Sequence, residues 1–408
     1  MKKNITLGLG FVLILGGCNA EQPASKSVEK IETKQEVVDK KPSKEALPKE
    51  KKILLEPIAE VLKEVSLEEK IGSMLMVGFM GTTAGEESQI CQDIRDYHLG
   101  GVILFDVNPL DKTQAKNFEN KTQVKALTTQ LQNCSHDHKL LIAVDQEGGR
   151  VQRLKTKYGF YGKFEKATDI SKLSDDEVNK HYQKMAEELQ SVGINYDLAP
   201  DVDLAINPKN RVIYQLGRSF GSTPKDVAHY STIFIEAMRS HGILTSAKHF
   251  PGHGSSLGDT HKGFVDVTKL WQKKELEPYR ILTQEGVLDT VMVAHVFNKK
   301  IDDKYPATLS KKTIKGLLRG ELGFDGVTIT DDLQMGAIAH KYGLKNTLKL
   351  AIAAGNDILL FGNQLSAKSM VSTKTLVTTI QSMVGEEVDT KDIDRSYERI
   401  QRIKDGLE

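Results

Sequence analysis

Eight short apolar runs, spaced along the chain with helix-like stretches between them, constrain this sequence more than any other feature. They are SMLMVGF (73–79), GVILF (101–105), LLIAV (140–144), INYDLAP (194–200), TSAKHF (245–250), TVMVAH (290–295), GVTIT (326–330) and DILLF (357–361). Runs of this length with little polar alternation read as strands buried on both faces, the pattern of a parallel sheet. Between them lie amphipathic segments such as SDDEVNKHYQKMAEELQSVG, PKDVAHYSTIFIEAMRSHG and SKKTIKGLLRGELGF. Ser, Asp or Pro stands near their starts and Gly near their ends, as helix boundaries require. Parallel strands need crossover connections, and a count of eight favours closure into one α/β barrel, a (β/α)8 TIM-type fold, over residues 55–408. A doubly wound open sheet is the alternative topology. No internal repeat and no second domain is visible.

The first 54 residues have a different character. Lys2 and Lys3 precede an apolar core from Ile5 to Leu15 that is short for a bilayer span, and LGGC then sets small residues before Cys18. This resembles the lipobox of bacterial lipoproteins, with residues 1–17 as signal peptide and Cys18 acylated. Residues 18–54 are rich in Lys and Glu and almost free of large apolar groups, so they read as a tether with no core of its own. The expectation is a body held to a membrane by lipid at the cell envelope, on its periplasmic or extracellular face. Lys and Arg number 56 against 55 Asp and Glu, so there is no basic excess of the kind that nucleic-acid partners require. Beyond Cys18 only Cys91 and Cys134 remain, too few for a disulfide framework; whether these two pair is open in the sequence, with single buried cysteines the plainer reading.

Charged groups gather where the apolar runs end. Asp145 follows LLIAV, Asp201 and Asp203 follow INYDLAP, and Lys248 and His249 fall at the end of the fifth run. His295 ends the sixth, and Asp331 and Asp332 follow the seventh. In a barrel all of these stand at the C-terminal rim, where active sites are built. The densest stretch is KHFPGHGSSLGDTHKG (248–263). A metal site on His249 and His253 would want a helix, which Pro251, Gly252 and Gly254 oppose, and the glutamate of the metalloprotease pattern is missing. Neither a metal nor a cofactor is expected. GSSLG around Ser256 matches G-x-S-x-G only formally, without a strand directly before it and a helix after it. Proton transfer remains. Asp259 and His261 are two apart, so in an extended segment they point the same way, and the carboxylate can orient an imidazole that titrates near neutrality. An acid/base histidine together with an unpaired carboxylate suits double displacement at an acetal carbon. The residues alone carry the inference this far.

KHFPGHG with its DTH, together with AVDQEGGRVQRL (143–154), LGRSFG (216–221) and GFDGVTITDDLQMGAI (323–338), resembles glycoside hydrolase family 3. Within that family it is similar to the single-barrel β-N-acetylglucosaminidase branch, over about residues 55–405. The resemblance implies a barrel that releases terminal non-reducing β-linked N-acetylglucosamine with retention, through a glycosyl-enzyme intermediate, from peptidoglycan fragments or chitooligosaccharides. Adjacent strand residues face opposite sides, so only one of Asp331 and Asp332 is expected to face substrate, and the resemblance selects Asp331 as nucleophile. It implies His261 as acid/base, Asp259 as its partner, and Asp145, Arg153, Arg218, Lys248 and His249 as sugar-contacting residues. Where the family often continues with Leu-Pro after the dyad, this chain reads HKGFVDV, which bears on the aglycone end. Competing expectations are another activity of the family (β-glucosidase, β-xylosidase, or a phosphorylase using phosphate as acceptor) and a non-catalytic glycan-binding lipoprotein. The presence of Asp331, Asp259 and His261 argues against the last.

Overall fold

In the computed structural model, which describes residues 65–136 and 138–407, each of the eight apolar runs yields a strand. The expected signal peptide, Cys18 and tether lie outside the described residues. The strands are β1 (Leu75–Gly78), β2 (Gly101–Ile103), β3 (Leu141–Val144), β4 (Tyr196–Asp197), β5 (Leu244–Phe250), β6 (Thr290–Val293), β7 (Val327–Thr330) and β8 (Leu359–Phe361). β4 is the shortest, because its run continues into Ala199 and Pro200, and proline supplies no N–H to a ladder.

All neighbours pair in parallel, in the order β8-β1-β2-β3-β4-β5-β6-β7. A parallel bridge between Ile329 and Ile358 joins the two ends, with the Thr330 N–H donating to the Ile358 carbonyl at 3.0 Å. The sheet therefore closes, and the open-sheet alternative falls. β1, β3, β6 and β7 are buried at every position, as strands between a packed barrel interior and an outer ring of helices must be. Part of the interior is polar and internally satisfied, with Tyr196 Oη 2.7 Å from Thr290 Oγ1 and that hydroxyl donating to the Thr245 carbonyl.

The three quoted amphipathic segments are helical. The first spans Asp175–Ser191 behind a Ser174–Glu177 capping box, and the second spans Pro224–Arg239, with Pro224 in its first turn and Thr223 capping Asp226 N. These two helices pack together through Tyr182 and Phe234, rings 4.7 Å apart and edge to face. The third, Lys312–Glu321, is wound as a π-helix. The plainer reading of the cysteines, as single buried thiols, gives way, and the pairing left open in the sequence is present. Cys91 and Cys134 are joined by a disulfide, which bridges the helices Gln89–Asp96 and Lys121–Cys134. Their spacing of 43 residues carried no sign of this, since pairing depends on how two helices meet.

Candidate active site

The C-terminal rim holds a cavity of about 350 Å3 lined by Asp145, Arg153, Arg218, Lys248, His249, His261, Asp331 and other residues. Seven of the eight residues read from the sequence as catalytic or sugar-contacting therefore share one opening, and the eighth, Asp259, contacts His261 without lining it. The apolar part of the wall includes Ile103, Phe105, Leu198, Met292, Met335 and Leu360.

Asp145 leaves the end of β3, and the chain then folds back on itself. Gly148 and Gly149 turn with φ of 95° and 57°, and a Cβ on Gly148 would lie 2.4 Å from the Glu165 carbonyl oxygen, so the tight turn needs glycine. The Gln146 side chain accepts from the N–H groups of Arg153 and Leu154, which brings Arg153 back over the strand end. Arg153 Nη2 then donates to Asp145 Oδ2 at 3.0 Å. Lys248, on β5, donates to Asp145 Oδ1 at 3.0 Å and lies 2.7 Å from Glu147 Oε1.

Glu147 was not among the expected site residues, yet it anchors the cations. Arg218 grips it with two charge-assisted bonds, Nε to Oε2 at 2.8 Å and Nη2 to Oε1 at 2.7 Å. Burial would raise its pKa, but Arg218 and Lys248 hold it well below the ordinary carboxylate range. The sign available in the sequence was its place two residues after Asp145, in the AVDQEGGRVQRL stretch that also carries the sugar-contacting candidates Asp145 and Arg153. Arg218 also donates to the Val212 carbonyl and lies 3.3 Å from His249 Nε2. Of its five N–H donors, one, on Nη1, has no partner among the described residues.

His249 puts Nδ1 2.8 Å from Asp203 Oδ2, and the Arg218 guanidinium faces its other nitrogen. Burial and the Arg218 charge lower its pKa to about 4, so at neutral pH the ring is uncharged, donating to Asp203 and accepting from Arg218. Asp203 and Asp201 thus support the site from behind and do not line it. His295 is likewise structural, with Nδ1 2.7 Å from Thr308 Oγ1 and Nε2 2.9 Å from the Asp332 carbonyl.

Asp259 and His261 meet as expected, Oδ1 to Nδ1 at 2.9 Å. The stated reason is corrected. The segment is not extended: the Lys262 N–H reaches the Asp259 carbonyl at 3.0 Å in a turn, and the Asp259 carboxylate also accepts the His261 N–H at 3.1 Å. Burial would raise the Asp259 pKa, but the His261 ring beside it holds it below the ordinary value. The loop rests on the segment after β7, where the Ala337 N–H donates to the Thr260 carbonyl. His261 is largely exposed and Asp331 only partly so, so the cavity sets a wetter imidazole against a more sheltered carboxylate.

The expectation that one member of the acidic pair would face away is also corrected, since both Asp331 and Asp332 line the cavity. β7 ends at Thr330, so strand alternation no longer governs them. Their surroundings separate them instead. Burial pushes Asp332 up to about 6. Burial would raise Asp331 too, but the rings of His295, His249 and His261 and the Asp332 N–H, 2.8 Å from its Oδ1, bring it below the ordinary value.

Residues 66–403 match the family described as the glycosyl hydrolase family 3 N-terminal domain. The chain is 34% identical over 312 residues to a β-hexosaminidase of Hydrogenovibrio crunogenus, covering 74% of this chain and 83% of that one. Against a β-hexosaminidase of Pseudomonas aeruginosa the identity is 34% over 302 residues, covering 73% and 84%. Among solved structures, a glycoside hydrolase family 3 β-N-acetylglucosaminidase from Paenibacillus sp. str. FPU-7 superposes with a TM-score of 0.73 at 33% identity, over 84% of this chain and 62% of that one. A β-N-acetylhexosaminidase from Beutenbergia cavernae gives 0.73 at 28% identity, over 84% and 99%.

Proposed function

The chain belongs to glycoside hydrolase family 3 and is a β-N-acetylhexosaminidase, and from that premise we propose that it removes terminal β-N-acetylglucosamine by double displacement between Asp331 and His261. The observation that carries this reading is their convergence, 70 positions apart in the chain, on one cavity. Asp331 attacks the anomeric carbon while His261 protonates the departing oxygen, and the sugar is left as an ester on Asp331. His261 then takes a proton from water, which attacks the same carbon, breaks its ester bond to release the Asp331 carboxylate and restores the β configuration. Asp259 holds the ring by Nδ1, leaving Nε2 for the proton.

Asp145, with Lys248 and Arg153 already bound, retains acceptor capacity on both oxygens for sugar hydroxyls. Lys248, Arg153, His249 and the remaining N–H of Arg218 complete the polar wall, and Met292, Met335 and Leu360 offer apolar surface to the acetamido methyl. The anchored location at Cys18 belongs to the same proposal. It is supported by the Cys91–Cys134 bond, since disulfides persist mainly in exported proteins.

The test is product analysis on a chromogenic N-acetyl-β-glucosaminide, followed by NMR from the first turnovers, with and without phosphate. The expected first product is the β anomer of free N-acetylglucosamine. An α anomer appearing first would overturn double displacement. A sugar 1-phosphate formed only with phosphate would make the chain a phosphorylase, an outcome favoured by one feature: an imidazole repels an incoming phosphate less than a carboxylate does. Radiolabelled palmitate incorporated by the full chain, and lost on Cys18→Ser, is the expected result for the anchor; equal labelling would overturn it.

A further inference from the structure

One buried cation takes no part in the chemistry above. Lys116 is fully buried, and among the described residues its ammonium makes no ion pair. Its Nζ donates to the carbonyls of Gly362 at 3.0 Å and Asn363 at 2.9 Å, and to Gln364 Oε1 at 2.9 Å. The Phe105 ring lies 4.6 Å from the same nitrogen. All three of its donors are therefore spent on neutral acceptors. Placing an ammonium out of water without a counter-ion in contact is among the costlier choices a fold can make, so the position calls for a use.

The partners show what that use is. Lys116 belongs to the loop after β2, and its three acceptors belong to the loop after β8. Gln364 returns the connection, donating from Nε2 to the Val107 carbonyl at 2.8 Å. Phe105, Val107, Gln364 and Leu365 from these two loops line the substrate cavity as one wall. Gly362 also touches the acidic pair, its backbone N–H serving the Asp332 carboxylate, and a Cβ there would come 2.7 Å from Asp332 Oδ2.

We propose that Lys116 is a positioning residue for the glycosidase site: its ammonium clasps the two loops into a single wall and, through Gly362, holds Asp332 beside the nucleophile. This rests on the reading of Asp331 given above. The groups that bear on the Lys116 charge are Asp332, which favours it, and Arg153, which opposes it, with Phe105 and the two backbone carbonyls completing the shell. Burial brings the lysine down to about 7, against the pull of Asp332. The clasp is thus charged in acid and is lost as pH rises.

Lys116→Met removes the charge at every pH while keeping the side chain's length. Relative to wild type, kcat/KM on an aryl N-acetyl-β-glucosaminide is expected to fall about tenfold at pH 6, with most of the loss in kcat, as a coupling through adjoining contacts would give. The deficit should shrink toward unity by pH 8.5, where a lysine of this pKa is only about 3% charged. An unchanged kcat/KM at pH 6, or a deficit constant across pH, would overturn the proposal, because lost packing does not titrate. Should Lys116→Met fail to fold, Gln364→Leu withdraws one acceptor and should move the alkaline limb of kcat to lower pH; an unmoved limb overturns the clasp. Asp331→Asn separates the two readings. Turnover surviving in Asp331→Asn removes the nucleophile assignment, whereas an inactive Asp331→Asn beside an unimpaired Lys116→Met removes the clasp alone.

Discussion

Replacing Glu147 by glutamine tests the electrostatic frame of the cavity with little change of shape. Glu147 accepts both arms of the Arg218 contact and faces Lys248 at 2.7 Å, and all three are buried or nearly so. Removing one member of a buried ion pair costs about 3–5 kcal/mol, because the remaining charge stays out of water. The lower end applies. Lys248 keeps Asp145 at 3.0 Å, and Arg218 keeps Asp201 at 3.3 Å. Burial and Asp203 push the Asp201 carboxyl up to about 8, but it sheds the opposing charge of Glu147 in this variant, so neither cation is left without a partner. Over residues 65–407 the entropy of unfolding is about 0.7 kcal/mol/K at ~2 cal/mol/K per residue, so ~3 kcal/mol lowers Tm by about 4 °C. The folded carboxyl of Glu147 titrates below its ordinary value of 4.5. Its stabilisation is therefore fully present above that value and disappears as pH falls through the folded pKa. Thermal unfolding followed by circular dichroism from pH 8 down to pH 3.5 should show a Tm gap that is constant to about pH 5 and narrows only in stronger acid. KM should rise more than kcat falls, since Lys248 and Arg218 each lose one of the contacts that fix them while Asp331 and His261 lose none. Equal Tm values at pH 7, or a gap that closes between pH 8 and 6, would refute the assignment of Glu147 as the anion that holds the two cations.

The disulfide closes a 43-residue separation, for which chain entropy gives about 4 kcal/mol, or about 5–6 °C in Tm. The double variant Cys91→Ala/Cys134→Ala should show that drop, and an unchanged Tm would argue that the bond contributes nothing. His261→Ala should lose about a hundredfold or more on alkyl aglycones and far less on dinitrophenyl ones, which leave without a proton; equal losses would remove its acid role. A Cβ on Gly336 would sit 3.1 Å from the His261 carbonyl oxygen and 3.2 Å from the Lys262 carbonyl carbon. Gly336→Val should therefore push the dyad loop outward and slow poor leaving groups more than good ones, and a uniform loss on both would show that the loop does not rest on this glycine.

What could be read in the sequence depended on the range of the signal. The eight strands are local apolar runs, and each was legible; closure of the sheet was inferred from their count and is carried by backbone contacts at Ile329 and Ile358. The rim residues were legible because strand ends in a barrel converge by topology, whatever the loops do. Side-chain direction beyond a strand was not. The alternation rule failed at Asp332, because β7 had already ended, and the Asp259–His261 contact arose from a turn. Glu147 and Lys116 were passed over for the same reason: each owes its place to partners 71 and about 246 positions away, through which a burial otherwise prohibitive becomes tolerable. The Cys91–Cys134 bond required knowing how two helices pack, which no spacing conveys.

The distribution of charge also bears on which carboxylate reacts. A nucleophile must be ionised at working pH, yet a carboxylate locked to a permanent cation is stabilised in its resting state and poorly nucleophilic. Asp145 and Glu147 are ionised but committed to Lys248, Arg153 and Arg218. Asp332 is pushed up by burial, to about 6, so of these three and Asp331 it is the last to ionise as pH rises. Asp331 escapes both conditions. Its pKa is lowered, while no Lys or Arg pairs with it among the described residues. Of the groups that lower it, His249 is uncharged at neutral pH and burial lowers His295 in the same way, so the Asp332 N–H and the exposed His261 remain as its chief support. Glu147 matters here as well. It takes up Arg218 and Lys248, and neither cation is among the groups that act on Asp331, which fits the nucleophile role proposed for that carboxylate.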